Sequence, residues 1–278
     1  MLQRFVLSTA LATALFAQAA ISQTDTTTVT VANDRGGETT IDRTVTRDGT
    51  VVTGEGSAQT NAGRGGQRRF TRSFDPETGT FQRNAETVTN SGRVSSSAAS
   101  TQCDGAGNCT RTGGYTGPDG RTGSSVTETT IGEDGTVTSR TTTTRPNGEI
   151  AVRERQSVQT GSGRAGTVVT NGPEGQTVRD FQRGRTADGG FERRSAVTGP
   201  NGRTATADAT VQCNGGSCRR QLRQQGPEGR TRLVENEGER TGPGEFQGRR
   251  RVIGPDGETR ESRRWIRVDR ERRRNRDR

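Results

Sequence analysis

Small polar and apolar side chains alternate along short segments of this chain, and turns rich in glycine separate the segments. The clearest segment is 203–213, where Thr204, Thr206 and Asp208 alternate with alanines at 205, 207 and 209. A period of two places one set of side chains on each face of a β-strand. Residues 24–31 read TDTTTVTV, and such β-branched residues suit a pleated strand. The pattern predicts an all-β chain.

A Pro-x-Gly turn recurs six times, with successive prolines 27 or 28 residues apart, which indicates an internal repeat. Proline presets the backbone at the first central position of a turn, and glycine takes the left-handed position that closes a hairpin. We therefore predict six equivalent hairpin turns. They are Pro118 to Gly120, Pro146 to Gly148, Pro173 to Gly175, Pro200 to Gly202, Pro227 to Gly229 and Pro255 to Gly257.

A second, more variable turn lies about midway between successive Pro-x-Gly turns, so the repeat unit is a hairpin plus a return turn. The arms between turns hold nine or ten residues, which allows roughly 18 strands between residues 24 and 268 at typical turn lengths. We predict an elongated antiparallel hairpin-repeat meander over residues 20–257. As one stack of strands it would measure about 80 Å across unless it coils or splits.

The apolar content is low, because only 24% of the residues are hydrophobic. Burial of apolar surface is what offsets the loss of chain entropy on folding, so an ordinary layered core is disfavoured. The arms also lack the alternating apolar side chains of a lipid-facing barrel, which favours a soluble, extended sheet. A largely disordered chain is the alternative that the composition leaves open.

Residues 1–19 have the features of a secretory signal peptide. Arg4 is the charged start, an apolar run follows to Phe16, and Ala17-Gln18-Ala19 is a small-residue cleavage site. A membrane anchor needs about 20 apolar residues, and this run is shorter. We predict a cleaved signal helix, no transmembrane span after cleavage, and export to the periplasm, the cell surface or the exterior.

The four cysteines form two short pairs, Cys103 with Cys109 and Cys213 with Cys218, each across a glycine-rich turn. A hairpin brings flanking residues close enough for disulfide geometry, and an exported chain meets an oxidising environment. We predict two structural disulfides. A zinc site is the first alternative, although structural zinc favours shorter spacers. A redox-active pair is the second, although it usually has a two-residue spacer.

Several kinds of chemistry are disfavoured by the composition. The chain has no histidine, which removes the imidazole base and the histidine metal ligand. Aspartates in the turns resemble calcium ligands, but the turns are at least 13 residues apart and mix Asp with Asn and Glu, which fits turn geometry better. No cofactor or metal site is predicted, and the chain is not predicted to be an enzyme.

The charge is strongly positive. All 42 basic residues are arginine and the formal net charge is +10, which favours attraction to polyanions. Residues 258–278 are the most basic segment, and we predict a disordered arginine-rich tail there. Seven of its arginines are candidate polyanion contacts: Arg263, Arg264, Arg267, Arg270, Arg272, Arg273 and Arg274.

The segment TGPNGRTATADATVQCNGGSCRR, residues 198–220, resembles a class of exported bacterial proteins with Thr-Gly-Pro-Asn-Gly turns alternating with short cysteine hairpins. The resemblance covers most of the chain from Cys103 onward. A looser likeness is to the YD-type repeats of large secreted shell proteins, whose signature tyrosine is missing here. The resemblance implies a β-hairpin repeat and no particular activity.

The sequence therefore predicts an exported structural or adhesive repeat protein of the cell envelope. Its arginine-rich surface would bind anionic polymers such as acidic polysaccharide or lipopolysaccharide phosphates. Aromatic residues among the arginines could stack on bases, but export argues against a specific nucleic-acid partner. The alternative is a largely disordered exported spacer or matrix protein with no specific ligand.

Overall fold

The computed structural model describes residues 22–274, which form eighteen β-strands and no helix. The predicted signal peptide, residues 1–19, lies outside the described residues. The strands are β1 Gln23–Asn33, β2 Glu38–Asp48, β3 Val51–Thr60, β4 Gly65–Asp75, β5 Thr80–Thr89, β6 Val94–Cys103, β7 Cys109–Thr116, β8 Thr122–Ile131, β9 Val137–Thr144, β10 Ile150–Gln159, β11 Gly163–Gly172, β12 Gly175–Arg185, β13 Phe191–Thr198, β14 Thr204–Asn214, β15 Ser217–Gln225, β16 Thr231–Gly242, β17 Glu245–Ile253 and β18 Thr259–Arg274.

Each strand pairs antiparallel with the next one along the chain, and β18 pairs with β1 from Gln23 opposite Arg274 to Asn33 opposite Arg264. The predicted hairpin meander is present, but the sheet closes into a barrel instead of extending as an open sheet. Two physical reasons favour closure: strand twist accumulates over many strands of similar length, and closure pairs the two edges that an open sheet would expose.

The prediction of a disordered tail from Glu258 is wrong for residues 259–274, because β18 pairs with β17 on one side and β1 on the other. Val268 lies opposite Val29, and Ile266 lies opposite Val31. Backbone pairing on both sides, together with these apolar pairs, outweighs the repulsion among the arginines. Residues 275–278 of the predicted tail lie outside the described residues.

The alternation of turns places the six Pro-x-Gly turns at one end of the barrel, which we call the proline rim. The opposite end, the cysteine rim, carries the turns that hold the two cysteine pairs. The start of β1 and the end of β18 also lie at the cysteine rim, since Gln23 is opposite Arg274. The predicted distinction between a standard and a variable turn is thus a distinction between two rims.

Five of the six Pro-x-Gly turns share one geometry. At the first copy, the Gly120 N–H donates to the Gly117 carbonyl at 3.0 Å and the Gly117 N–H donates to the Arg121 carbonyl at 2.7 Å. The glycine has a φ of 78°, in the left-handed region that the turn requires. The copy at Pro173 is tighter, since Gly172 pairs directly with Gly175 across a two-residue turn.

The register divides the side chains into two faces that continue around the whole barrel. Val45 is opposite Gly54, Gly54 is opposite Phe70, and Phe70 is opposite Ala85, so these residues share one face. That face carries all the buried side chains of the described residues: Val45, Ala85, Ser157, Val168 and Val234.

The face that carries Val45 is the inner face of the barrel. Side chains converge on the concave side of a closed sheet, so equivalent residues are less exposed there. On β8, Ser125 on the face of Val45 is half-buried, whereas its neighbour Ser124 on the other face is exposed. A closed sheet of this many strands is roughly 35 Å across between backbones and leaves an open interior.

Candidate functional site

The inner face carries most of the strand arginines. The described ones are Arg43, Arg47, Arg68, Arg72, Arg83, Arg111, Arg153, Arg155, Arg164, Arg179, Arg183, Arg185, Arg193, Arg220, Arg232, Arg240, Arg250, Arg260 and Arg264. Asp25 is the only acidic residue on this face among the strand residues from 23 to 269, and it accepts a hydrogen bond from Arg47 at 2.6 Å. The inner face is therefore strongly positive.

The outer face carries the other acidic residues of the strands between residues 23 and 269, and most arginines of that face pair with them. Arg249 donates to both carboxylate oxygens of Glu261, at 2.8 and 2.9 Å, and this hydrogen bond raises the pKa of Arg249. Glu235 accepts from Gln221 at 3.0 Å and from Arg219 at 3.3 Å. The Gln221 hydrogen bond is the main reason why the pKa of Glu235 is lowered. Charges on the outer face are largely balanced locally.

Strand alternation produces this separation of charge. On β12, Arg179, Phe181 and Arg183 occupy inner positions, while Val178 and Asp180 occupy outer positions. A slip of one residue would exchange the two faces, so the hairpin turns that fix the register also fix the location of the charges. The density of positive charge along the chain singles out the C-terminal segment and does not reveal the inner arginines. The signal that identifies them is the period-two position of each arginine relative to its turn.

The densest group of inner arginines lies on β10–β13, and we call it the inner arginine cluster. Its members are Arg153, Arg155, Arg164, Arg179, Arg183 and Arg193; Arg185, the last residue of β12, lies on the same face beyond the cluster. Arg164 lies opposite Arg183, and Arg183 lies opposite Arg193, so three cations stand in one row. Like charges directly opposite each other destabilise a sheet unless an anion stands between them.

Burial adds to the electrostatic cost of this cluster. The Nε atoms of Arg155, Arg164 and Arg179 are buried and have no hydrogen-bond partner. Burial lowers the pKa of Arg155, and the neighbouring Arg164, Arg183 and Arg153 lower it further. Burial likewise lowers the pKa of Arg179, with Arg193 and Arg153 adding to the effect. Arginine keeps its proton at any physiological pH, so the cluster stays positive.

Some inner arginines contact aromatic rings instead of carboxylates. The guanidinium of Arg155 lies 5.2 Å from the centre of the Phe181 ring, and Arg43 and Arg72 lie 5.7 and 5.1 Å from that of Phe70. Cation–π contacts of this kind stabilise an arginine without neutralising it. The positive charge therefore remains available to an anion.

The predicted polyanion contacts of the C-terminal segment do not form one surface. Arg263 and Arg267 lie on the outer face and Arg264 lies on the inner face. Arg267 pairs with Asp269 at 3.4 Å, and the backbone N–H of Arg263 donates to Asp34 at 3.1 Å. The other four predicted contacts lie in the part of β18 that pairs with β1: Arg270, Arg272, Arg273 and Arg274.

Both predicted disulfides are present. Cys103 is bonded to Cys109 and Cys213 to Cys218, and in each pair the two residues are direct register partners with Cα atoms 4.0 and 4.1 Å apart. They close the turns between β6 and β7 and between β14 and β15. Their role is to hold two hairpins of the cysteine rim.

The turn aspartates support the turns. Asp104 accepts backbone N–H bonds from Asn108 at 2.8 Å and Ala106 at 3.0 Å, and hydrogen bonds from Asn108 are the main cause of its lowered pKa. Asp134 accepts from Thr136 in the same way, and its pKa is lowered too. Within residues 22–274, no three acidic, histidine or cysteine side chains are grouped as metal ligands would be.

The described part of the chain contains no helix long and apolar enough to cross a membrane. No protein-family model matches this sequence, and a search of curated proteins found no related chain. The arginine-lined inner face is the feature of the described fold with the most distinctive chemistry.

Proposed function

We propose that this protein is an exported structural or adhesive component of the cell envelope that binds anionic polymers through its arginines. The observation that carries the proposal is the separation of charge between the two faces of the barrel. Most of the described outer arginines have carboxylate partners, as Arg249 has in Glu261, whereas the inner arginine cluster has none among the described residues. Uncompensated cations on a half-buried surface attract polyanions.

Two further observations support the proposal. Disulfides at Cys103–Cys109 and Cys213–Cys218 fit an oxidising compartment outside the cytoplasm. A barrel made of repeated hairpins suits a structural role, because each hairpin relies on the same turn chemistry at Gly120, Gly148 and their equivalents.

Binding of the purified full chain to dextran sulfate and to uncharged dextran tests the proposal. We expect binding to dextran sulfate alone, weakening as salt rises from about 50 to about 500 mM because ions screen the attraction. Equal binding to both polymers, or binding that is insensitive to salt, would contradict the proposal. Deletion of residues 259–278 is unsuitable as a test because it removes β18 and opens the barrel.

A further inference from the structure

The inner arginine cluster has the geometry of a site for an extended anion. Neighbouring strands are about 4.8 Å apart, and alternate residues along a strand are about 6.8 Å apart. Arg164, Arg183 and Arg193 form a row across β11, β12 and β13. Arg155 and Arg179 lie on either side of Val168 in a second row, four residues or about 14 Å further along the strands. A polymer with closely spaced negative groups can contact several of these positions at once, whereas a small anion can contact only one or two.

Arginine chemistry favours phosphate groups at this site. The guanidinium presents a planar fork of donors that pairs with two oxygens of one phosphate group, and it is more weakly hydrated than an ammonium group. Arg155, Arg164 and Arg179 are already half-buried, with Nε atoms out of reach of water. These Nε groups have no water to lose when an anion binds, and their partial burial strengthens the electrostatic attraction.

The surroundings of the cluster add no competing carboxylate. Inner positions of the flanking strands β9 and β14 carry serine, threonine, alanine and valine, such as Ser139, Thr141, Ala207 and Ala209. The acidic residues of the same region, Glu154, Asp180 and Glu192, lie at outer positions. The sheet itself thus separates them from the cluster.

The geometry points to the inner arginine cluster as a binding site for a polymer of closely spaced phosphate groups. This inference rests on the proposed function and deepens it, since it names the site and the chemical class of the polymer. Phe181 lies between Arg179 and Arg183 on β12, where its ring holds Arg155 by a cation–π contact. The ring keeps the arginine side chain ordered and so lowers the entropy lost on binding.

Inorganic polyphosphate is the probe for this inference, and alginate, a carboxylate polymer, is the comparison. The test variant is Arg155→Gln with Arg179→Gln and Arg183→Gln. A matched control removes three outer arginines, Arg69→Gln with Arg140→Gln and Arg223→Gln, so that both variants lose the same net charge. Binding is measured by isothermal titration calorimetry on the full chain, with circular dichroism to verify the β-sheet.

We expect polyphosphate to bind at least tenfold more tightly than alginate, the test variant to lose at least tenfold in affinity, and the control to lose less than threefold. Equal losses in the two variants would overturn the assigned site while leaving the proposed function intact. Stronger binding of alginate would overturn the phosphate assignment alone. Failure of the wild-type chain to bind polyphosphate, alginate or dextran sulfate would overturn both.

Two more variants keep the test decisive. If the triple variant loses its β-sheet, the exposed members Arg153→Gln and Arg193→Gln replace it, with Arg140→Gln and Arg223→Gln as control and the same outcomes. The variant Arg155→Lys with Arg179→Lys and Arg183→Lys keeps the charge but loses the planar fork. We expect its affinity for polyphosphate to fall at least threefold, and an unchanged affinity would contradict recognition by the guanidinium fork.

Discussion

Gly166 on β11 lies directly opposite Ser157 on β10, and a Cβ atom added to Gly166 would come within 2.8 Å of the Ser157 Cα atom. It would also come within 2.1 Å of the backbone oxygen of Gln156. Ser157 is the one described side chain with no exposed surface. The two strands meet here more closely than any residue other than glycine permits.

We expect Gly166→Ala to destabilise the barrel by about 1–3 kcal/mol, because backbone atoms must move to admit the methyl group. Gly113→Ala is the control, since its nearest neighbour would be 3.4 Å away. That substitution should change the free energy of unfolding by less than about 0.5 kcal/mol. Urea unfolding followed by circular dichroism measures both, and equal effects would contradict the close approach.

The left-handed glycines of the proline rim give a second prediction. Gly120 has a φ of 78° and open space around its Cα atom, so Gly120→Ala should destabilise by about 1–2 kcal/mol through backbone strain alone. Gly105 also has open space, and its φ lies outside the left-handed region. Gly105→Ala should therefore be neutral or slightly stabilising. Thermal unfolding of the two variants isolates the backbone strain, because neither new methyl group meets a neighbour. Equal melting temperatures would contradict the role of strain.

The disulfides give a third prediction. Replacing Cys213 and Cys218 by alanine should lower the free energy of unfolding by about 2 kcal/mol, the chain-entropy value for so short a loop. The Cys103 and Cys109 double variant should lose a similar amount. A variant with all four cysteines replaced is the control, because a reducing agent should not change its melting temperature. A response of that variant to the reductant would show that the effect does not come from the disulfides.

Acid should weaken the turns that aspartates support. Hydrogen bonds from Asn108 lower the pKa of Asp104 in the folded state. The ionised carboxylate therefore adds to the free energy of unfolding at any pH above the pKa that Asp104 has in the unfolded chain. This contribution is lost as the pH falls through the lower pKa of the folded state. Asp104→Asn can still accept the N–H bonds but does not titrate. The stability difference between wild type and this variant should shrink below about pH 4. Melting curves from pH 7 to pH 2 measure it, and a constant difference would refute the role of the charge.

Closure of the barrel by β18 gives a fifth prediction. A chain that ends at residue 257 lacks β18, which leaves unpaired backbone groups along β1 and β17. Such edges associate with one another, so the truncated chain should form larger species on size-exclusion chromatography with light scattering. Removal of residues 275–278 alone keeps every described strand, and that chain should elute as the wild type does.

The local features of this fold could be predicted from the sequence. Turns are encoded within four or five residues, so the glycines at 120 and 148 and the cysteine pairs indicated the hairpins, and the arm lengths gave the number of strands. The function of the turn aspartates, such as Asp104, followed from the same chemistry. These features need no knowledge of distant partners.

Closure and the inner face could not be predicted, because they depend on the sum of twist and register over all the strands. The strand at 259–274 pairs with β1, more than 200 residues away, and its own arginine-rich composition is typical of a solvated segment. The inner arginine cluster depends on four strands sharing one register. Neither partner strand nor register is visible in any single segment.

The chain enters and leaves the barrel side by side, since Gln23 and Arg274 are register partners on neighbouring strands. A short linker could therefore join the two ends without disturbing the sheet, and a circularly permuted chain could begin in an exposed turn such as Gly161-Ser162. In such a chain β1 and β18 would become an ordinary hairpin. The junction between β18 and β1 would then be indistinguishable from the other strand junctions, as expected for a ring of repeated units.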